Sequence, residues 1–284
     1  RDQPRSRGLG DVYKRQQPAL LEMSVILRDG DGNVSAMRKG MEQAAKDLNV
    51  ELRFLTPAED NSAVEQVQLL EHEVSGAAPA ILLIPADREA LGEAVSAAAG
   101  KTTLVTVESD MTAWGADASI SMDHQALGEA LGKAALNGVS FGGTVLLLDS
   151  LLGDNGVRER MEAAKALLEE KGRQVRIYRW TSDSTAFANI LRIERPKAVI
   201  AFEAAALTEM AELSRGEEAF PLLYGCGSTA GIAAALEKGR VTAIAAVNVF
   251  SAGYLAVEAA AKLARHESWT GGSSVGFSIV RQET

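Results

Sequence analysis

The sequence predicts an α/β fold of two Rossmann-like lobes, each a doubly wound parallel sheet, joined by a multi-strand hinge with a ligand cleft between the lobes. The first observation behind this prediction is a repeat at a fixed offset of 120 residues. The strand pattern of Val25, Leu27 and Asp29 returns at 145, 147 and 149, and the helical pattern of residues 37–48 returns at 157–168. The second observation is that short apolar runs alternate with helical patterns of about 10–15 residues, which indicates βαβ units. The repeated unit is too long for a solenoid, so we predict a duplicated lobe.

The first half divides into strands and helices by its apolar spacing. We predict strands at 24–27, 51–55, 80–84 and 103–107, and helices at 35–48, 61–74 and 88–99. Met37, Met41, Ala44 and Leu48 are spaced as one face of an α-helix. The strands are near-continuous apolar runs, such as ILLIP, which is typical of strands that helices cover on both faces.

The second half repeats this order and then continues into a tail. We predict strands at 144–148, 174–178, 198–202 and 221–224, and helices at 125–136, 156–171, 184–192 and 204–215. In the tail we predict a strand at 241–247, a helix at 251–265 and a last strand at 275–280. The chain is therefore expected to cross between the lobes near 123–124 and again near 248–250.

The predicted domain boundaries use these two crossings and a third at 277–278. We predict one lobe from residues 22–123 plus 250–277 and the other from residues 124–249 plus 278–284. Residues 1–16 (RDQPRSRGLGDVYKRQ) resemble a translated sequencing adapter, and we expect them to lie outside the fold. The apolar core of a secretion signal is absent from this stretch, and the protein's own N-terminus is expected to be missing from the sequence.

Charge and composition exclude several classes of protein. The net charge is −9, and residues 1–16 contribute +3, so the remaining residues carry −12. Such an acidic surface repels phosphate backbones, so we expect no nucleic acid as a partner of this chain. No apolar run approaches the roughly 18 residues of a membrane span. The single cysteine, Cys226, excludes a disulfide framework and a cysteine metal site.

Candidate ligand-binding residues follow the predicted strand ends, because ligands of open parallel sheets bind outside the carboxyl ends of the strands. Carboxylates, amides and a guanidinium there match the paired hydroxyls of a polar ligand. The candidates are Asp29, Asn33, Glu108, Asp110, Arg158, Trp180, Glu203, Ser228 and Asn248. Asp87 also follows a strand, but we interpret it as the N-cap of the helix that begins at residue 88.

With these residues identified, the chain resembles the type I periplasmic binding proteins, the superfamily of the ribose- and galactose-binding proteins and of the effector domains of LacI-type repressors. The resemblance covers about residues 23–266 and is strongest in VSAMRKGMEQAAKDLNVEL, APAILLIPADREALGEAV, VRERMEAAKALLEEKG and the segment from YGCGSTAGIA to VEAAAKL. It implies that Arg158 occupies the place of the family's ligand-binding arginine. It also implies that Glu108 stands at a family carboxylate and Glu203 at a family asparagine.

The resemblance implies a solute-binding protein that captures a small polar ligand between its lobes by hinge closure. Its expected partners are that ligand and an ABC permease or membrane sensor, and its expected location is extracytoplasmic. We expect a monomer. The alternative function is the effector domain of a LacI-type transcription regulator, which would require a DNA-binding module upstream of this chain.

The sequence departs from the family's sugar-binding pattern at three places. The aromatic pair after the first strand is replaced by DGDGNV, a family aspartate position is Gly227, and a family glutamine position is Val247. Charge constrains the ligand as well, because several candidate carboxylates would face the one guanidinium of Arg158. We therefore expect a neutral polyol, a sugar-like or nucleoside-like molecule, or a cation rather than an anion.

Catalytic, metal and cofactor motifs are weak. The segment GCGSTA at 225–230 matches a dinucleotide fingerprint, but Val247 stands where an acidic residue would be expected. The three histidines, His72, His124 and His266, have no metal-binding spacing. We therefore expect no enzyme activity, no catalytic residue, no metal and no cofactor.

Overall fold

The computed structural model describes residues 17–30, 32–149, 155–216, 219–271 and 274–282, without the side chains of 32–34 and 155. Its strands are β1 (Leu21–Ile26), β2 (Val50–Leu55), β3 (Ala80–Leu83), β4 (Thr103–Glu108), β5 (Ala118–Met122), β6 (Thr144–Asp149), β7 (Gln174–Arg179), β8 (Ala198–Ala201), β9 (Leu222–Cys226), β10 (Ala243–Val247), β11 (Ser274–Val275) and β12 (Phe277–Arg281). Its α-helices are α1 (Gly32–Leu48), α2 (Ala63–Ser75), α3 (Arg88–Ala98), α4 (His124–Leu136), α5 (Asn155–Glu170), α6 (Ser184–Glu194), α7 (Ala204–Leu213), α8 (Ala230–Glu237) and α9 (Val249–Ala264).

The strands form two six-stranded sheets with the same order. The first sheet runs β11-β5-β4-β3-β1-β2 and the second runs β12-β10-β9-β8-β6-β7. All pairings are parallel except that of β12, which is antiparallel to β10. The predicted fold class, two doubly wound α/β lobes, is confirmed. The repeat at 120 residues corresponds to β1-α1 of the first lobe and β6-α5 of the second.

Each sheet is covered by helices on both faces. The central strands β3 and β8 are buried at every residue, which explains their uninterrupted apolar sequences. The first sheet has one cluster of buried side chains on each face, and so does the second sheet. Each lobe therefore has its own core, and a ligand site can form between the lobes without disturbing either.

The chain passes between the lobes at three places. Asp123 separates β5 from α4, Asn248 separates β10 from α9, and Gly276 separates β11 from β12. The side chains of Asp123 and Asn248 cap the helices that follow, accepting from the backbone N–H groups of Ala126 and Ser251. The backbone N–H of Asn248 also donates to the carbonyl oxygen of Gly276 at 3.4 Å, so two of the crossings are hydrogen-bonded to each other.

Three elements differ from the sequence prediction. The single last strand predicted at 275–280 is wrong, because the chain leaves the first sheet after Val275 and enters the second at Phe277. The strand β5 and the helix α8 had no predicted counterpart. The helix α8 has only eight residues, and β5 ends directly before a helix, so neither produces a long periodic pattern.

Two pairs of helices, α1 with α9 and α4 with α5, pack so closely that glycines of one helix lie against the backbone of the other. A Cβ atom on Gly253 of α9 would lie 2.1 Å from the carbonyl oxygen of Met37 in α1. A Cβ atom on Gly40 of α1 would lie 2.0 Å from the carbonyl oxygen of Phe250 in α9. In the second lobe, Gly128 of α4 approaches the carbonyl oxygen of Arg160 in α5 equally closely. Glycine is required at these positions because any side chain would displace the facing helix.

Among the described residues, no helix is both long and apolar enough to cross a bilayer.

Candidate functional site

A cavity of about 100 Å³ lies between the lobes, at the carboxyl ends of the parallel strands. Residues from both sheets and from the helices that follow them line it. They are Arg28, Asp29, Asn61, Glu108, Met122, His124, Arg160, Glu203, Ala204, Ala205, Cys226, Gly227, Ser228, Val247 and Val249. This is the place where open parallel sheets bind ligands, and here two such edges face each other.

An ion pair forms the wall from the first lobe. The Nη1 atom of Arg28, which follows β1, lies 3.0 Å from the Oε2 atom of Glu108 at the end of β4, and both side chains are 16% exposed. Arg28 Nε also lies 3.7 Å from Asp29 Oδ2. Glu108 has a φ of 74°, which is uncommon for a residue other than glycine and is frequent at functional sites. The cavity therefore contains a cation and two carboxylates from this lobe.

A histidine and an arginine link the two lobes at the floor of the cavity. The Nε atom of Arg160 in α5 donates to Nδ1 of His124 at 3.0 Å. Since Nδ1 accepts, the ring proton lies on Nε2, which is 3.0 Å from the carbonyl oxygen of Glu108 and donates to it. Arg160 also donates from Nη1 to the carbonyl oxygen of Phe202 at 2.8 Å and from Nη2 to Met122 Sδ at 3.5 Å. These contacts connect β4 and β5 of the first lobe with α4, α5 and β8 of the second.

The wall from the second lobe is formed by residues after β8 and β9. Glu203 precedes α7 without making a capping hydrogen bond to it. Gly227 has a φ of 143°, and a Cβ atom there would lie 2.5 Å from Ile232 Cδ1. A side chain at this position would be strained and crowded, so the glycine allows the backbone turn that brings Ser228 to the cavity.

Burial controls the chemistry of Cys226, which also borders the cavity. Desolvation raises the pKa of its thiol to about 11, the nearby Arg160 opposes this rise, and the Glu203 carboxylate adds to it. The thiol is therefore protonated and unreactive near neutral pH. Because the folded state holds this proton more tightly than the unfolded chain, the stabilising contribution is complete below the ordinary thiol pKa of 9.0 and is lost as pH rises toward 11.

We expect the folded protein to react with iodoacetamide at pH 7.5 about a hundredfold more slowly than the same chain unfolded in urea, because the thiolate fraction is so much smaller. Mass spectrometry of timed samples measures both rates. Fast alkylation of the folded protein would show that Cys226 is exposed and activated, contrary to its position in the structure.

The structure brings four of the predicted site residues together at the cavity, namely Asp29, Glu108, Glu203 and Ser228. Four of the others, Asp110, Asn248, Trp180 and Arg158, do not line the cavity. Asp110 is exposed and accepts from the backbone N–H and the hydroxyl of Thr112 at 2.9 and 2.7 Å. Asn248 is the exposed N-cap of α9, between two cavity residues.

The structure places two more predicted site residues, Trp180 and Arg158, away from the cavity. Trp180 is 9% exposed, packs edge-on against Phe187 with ring centroids 5.3 Å apart, and donates from Nε1 to Glu209. Arg158 is exposed and does not border the cavity. The side chain of Asn33 lies outside the described residues.

The cavity also contains polar residues that the sequence did not single out, namely Arg28, Asn61, His124 and Arg160. Arg28 directly precedes a predicted candidate, and Arg160 lies two residues beyond another. Asn61 has a φ of 61°, and its backbone N–H donates to the carbonyl oxygen of Arg28 at 2.7 Å. A sequence signal existed for His124, since it lies at the predicted lobe crossing near residues 123–124. Asp87 caps α3, accepting from the N–H groups of Glu89 and Ala90 as predicted.

Solute-binding proteins of ABC transporters are among the solved structures with this fold. One is an ABC transporter solute-binding protein from Agrobacterium vitis with bound D-fucose, with a TM-score of 0.85, 20% identity and coverage of 92% of this chain and 95% of that one. Another is a carbohydrate transporter solute-binding protein from Agrobacterium radiobacter in complex with D-arabinose, with a TM-score of 0.86, 17% identity and coverage of 93% and 95%. The XylFII–LytSN complex contains a chain with a TM-score of 0.85, 17% identity and coverage of 93% and 99%. At these identities the likeness shows the fold.

Family membership rests on the sequence itself. No curated protein matches the chain significantly. The family model described as "Periplasmic binding protein domain" matches residues 24–268, which is most of the chain and includes both lobes and all the cavity residues. The chain therefore belongs to the periplasmic binding protein domain family.

Proposed function

We propose that this chain is an extracytoplasmic solute-binding protein that captures a small, uncharged, hydroxyl-rich ligand between its lobes. The main support for this proposal is the cavity between the facing strand ends, which charged side chains of both lobes line. Carboxylates and guanidinium groups form charge-assisted hydrogen bonds with hydroxyls, and a ligand that contacts both lobes stabilises their closed arrangement. In this function the protein makes and breaks no covalent bond, like the solute-binding proteins of its family.

The charge of the cavity supports an uncharged ligand. Asp29, Glu108 and Glu203 supply three carboxylates, against the two guanidinium groups of Arg28 and Arg160. One guanidinium is already paired with Glu108, so an anionic ligand would add to an excess of negative charge. The structures with bound D-fucose and D-arabinose support sugars or related polyols. A nucleoside-like molecule has the same pattern of hydroxyls.

The small size of the cavity supports a mechanism in which the lobes open to admit a ligand. Sites for small molecules usually have volumes of about 300–1,000 Å³, whereas this cavity has about 100 Å³. Three chain crossings form the hinge about which the lobes would separate. We therefore propose an open form that receives the ligand and a closed form that a membrane partner recognises.

The membrane partner is an ABC importer or a sensor. Several proteins with this fold are named as ABC transporter components, which supports the importer. XylFII was solved in a complex with LytSN, so a chain of this fold can also bind a partner of another kind. Solute-binding proteins among the similar structures favour transport or sensing over the effector domain of a repressor. We propose that the protein acts as a monomer.

A thermal-shift screen tests this function. Pentoses, hexoses, 6-deoxyhexoses, polyols and nucleosides form the panel, with dicarboxylates, phosphates and nicotinamide cofactors as the contrasting set. A ligand at 100 times its Kd stabilises the folded state by about 2.7 kcal/mol, so we expect Tm to rise by about 5–10 °C. Stabilisation by the contrasting set alone, or by neither set, would overturn the proposal.

For the best ligand of this panel, a matched pair of variants tests the site. Glu203→Gln should weaken binding by at least about tenfold in calorimetry, because it removes a charged acceptor from the cavity. Asp110→Asn should bind like the unaltered protein, since Asp110 is exposed, accepts only from Thr112 in the contacts described and does not line the cavity. Equal losses in both variants would place the ligand elsewhere.

A further inference from the structure

We propose that His124 is a positioning residue that holds the ligand site in register across the hinge, and that it does so only while its imidazole is neutral. In taking the interlobe cavity as the ligand site, we rely on the proposed function. His124 is the first residue of α4, directly after the crossing at Asp123, and is 8% exposed. It therefore lies at the hinge about which the lobes would separate.

The two ring nitrogens of His124 contact one cavity residue from each lobe. Nε2 lies 3.0 Å from the carbonyl oxygen of Glu108, whose carboxylate is paired with Arg28 in the first lobe. Nδ1 accepts from Arg160 of the second lobe at 3.0 Å. Glu108 and Arg160 both line the cavity, so the imidazole determines the spacing between a carboxylate and a guanidinium that would contact the ligand.

The positions of the neighbours allow only one protonation state to make both contacts. Glu108 presents a carbonyl oxygen and needs a donor, whereas Arg160 presents an N–H and needs an acceptor. Only the neutral imidazole with its proton on Nε2 satisfies both. A proton on Nδ1 would point at the Arg160 N–H, replacing a hydrogen bond with two facing donors and two facing positive charges.

Some charged groups around the His124 ring oppose its protonation and others favour it. Arg160 and the N-terminus of α4, whose dipole is positive, oppose protonation. So does the N-terminus of α5, since a Cβ atom on Gly156 would lie 2.6 Å from His124 Cε1. The carboxylates of Asp29, Glu108 and Glu203 in the cavity, and of the adjacent Asp123, favour protonation. The guanidinium of Arg28 is a cation that offsets the charge of its partner Glu108, and Cys226 retains its proton, so neither group favours protonation.

Protonation of His124 should therefore release Arg160 from its place. The guanidinium retains the carbonyl oxygen of Phe202 as an acceptor but loses the acceptor that orients its Nε atom. The cavity then has a displaced cation and an added positive charge at the hinge. We expect ligand affinity to fall as pH decreases through the titration range of this histidine, whose unperturbed midpoint is about 6.5.

The first experiment needs no ligand. Nitrogen-15 NMR of the imidazole groups distinguishes protonated from unprotonated ring nitrogens, and the chain has three histidines, His72, His124 and His266. A His124→Gln variant assigns the signals of His124. We expect an unprotonated Nδ1 and a protonated Nε2 at pH 7.5. The opposite tautomer, or a ring protonated at both nitrogens at this pH, would overturn the proposal even if the ligand panel succeeds.

The second experiment measures affinity for the best panel ligand at pH 7.5 and 5.5. We expect the unaltered protein to lose about tenfold in affinity at the lower pH, since a charged hydrogen bond is lost. His124→Gln retains a donor and an acceptor but does not titrate, so its two affinities should agree within about twofold. His72→Gln, an exposed change on α2, should retain the full pH dependence.

The variants separate His124 from the carboxylates that also titrate at low pH. If His124→Gln lost affinity at pH 5.5 as strongly as the unaltered protein, the carboxylates would be responsible and the proposal would fail. His124→Phe, which removes both contacts, should bind weakly at both pH values, and its melting curve shows whether it folds. If no panel ligand binds, the proposed function fails, while the NMR result still decides the state of His124.

Discussion

Replacing Gly253 by alanine is expected to destabilise the protein by about 2–4 kcal/mol. The added methyl group would lie 2.1 Å from the carbonyl oxygen of Met37 and 3.1 Å from the backbone nitrogen of Met41, so α1 and α9 would have to separate. These two helices cover one face of the first sheet, and their separation would loosen the core that contains Met41 and Val257. Urea unfolding followed by circular dichroism measures the loss.

Gly231→Ala is the matched control for this change. Gly231 also lies inside a helix, α8, but a Cβ atom there would have nothing within 4 Å. Alanine favours the helix over glycine by about 0.5–1 kcal/mol, so this variant should be unchanged or slightly more stable. If Gly253→Ala unfolded at the same urea concentration as the unaltered protein, the close approach of α1 and α9 would be refuted.

Replacing Arg160 by leucine is expected to produce the largest loss of ligand binding, at least about tenfold, together with about 2–3 kcal/mol of stability. The change leaves the buried carbonyl oxygen of Phe202 and Nδ1 of His124 without their donor. It also removes one of the two guanidinium groups of the cavity. Since Arg160 lowers the pKa of Cys226, the thiol pKa should rise above about 11 in this variant.

Arg158→Leu provides the control on the same helix. Arg158 is exposed, and the family resemblance assigned the ligand-binding role to it. From the structure we expect its replacement to change the free energy of unfolding by no more than about 0.5 kcal/mol and to leave ligand affinity unaltered. Calorimetry with the best panel ligand compares the two variants, and a larger loss for Arg158→Leu would support the sequence assignment over the structural one.

These two arginines show why sequence reasoning could name strand-end residues of the cavity but not every residue that lines it. Successive residues of an α-helix are rotated by about 100°, so residues 158 and 160 lie on nearly opposite faces. In the run RER either arginine could face the cavity, and the spacing of the neighbouring apolar residues does not indicate which one does. Only the packing of α5 against α4 and β6 determines that Arg160 is directed to the cavity.

Strand-end residues were more predictable than residues on helices or at crossings. Asp29, Glu108, Glu203 and Ser228 follow buried strands, and the carboxyl ends of parallel strands necessarily share one edge of the sheet. Trp180 also follows a strand, β7, yet its ring turns away from the cavity to pack on Phe187. Because β7 is at the edge of its sheet, the side chain that follows it can face either the cavity or a neighbouring helix, and local packing determines which.

The sequence by itself determined that the chain forms two α/β lobes, because the repeat at 120 residues and the buried apolar strands depend only on spacing and composition. It also determined which strand ends supply polar groups. Only the tertiary structure decided that Arg28 pairs with Glu108 and that His124 joins Glu108 to Arg160. Glu108 and Arg160 lie in different lobes, and His124 contacts both. The physical reason is that such contacts depend on the crossing angles of helices and the position of the hinge, which local sequence patterns do not specify.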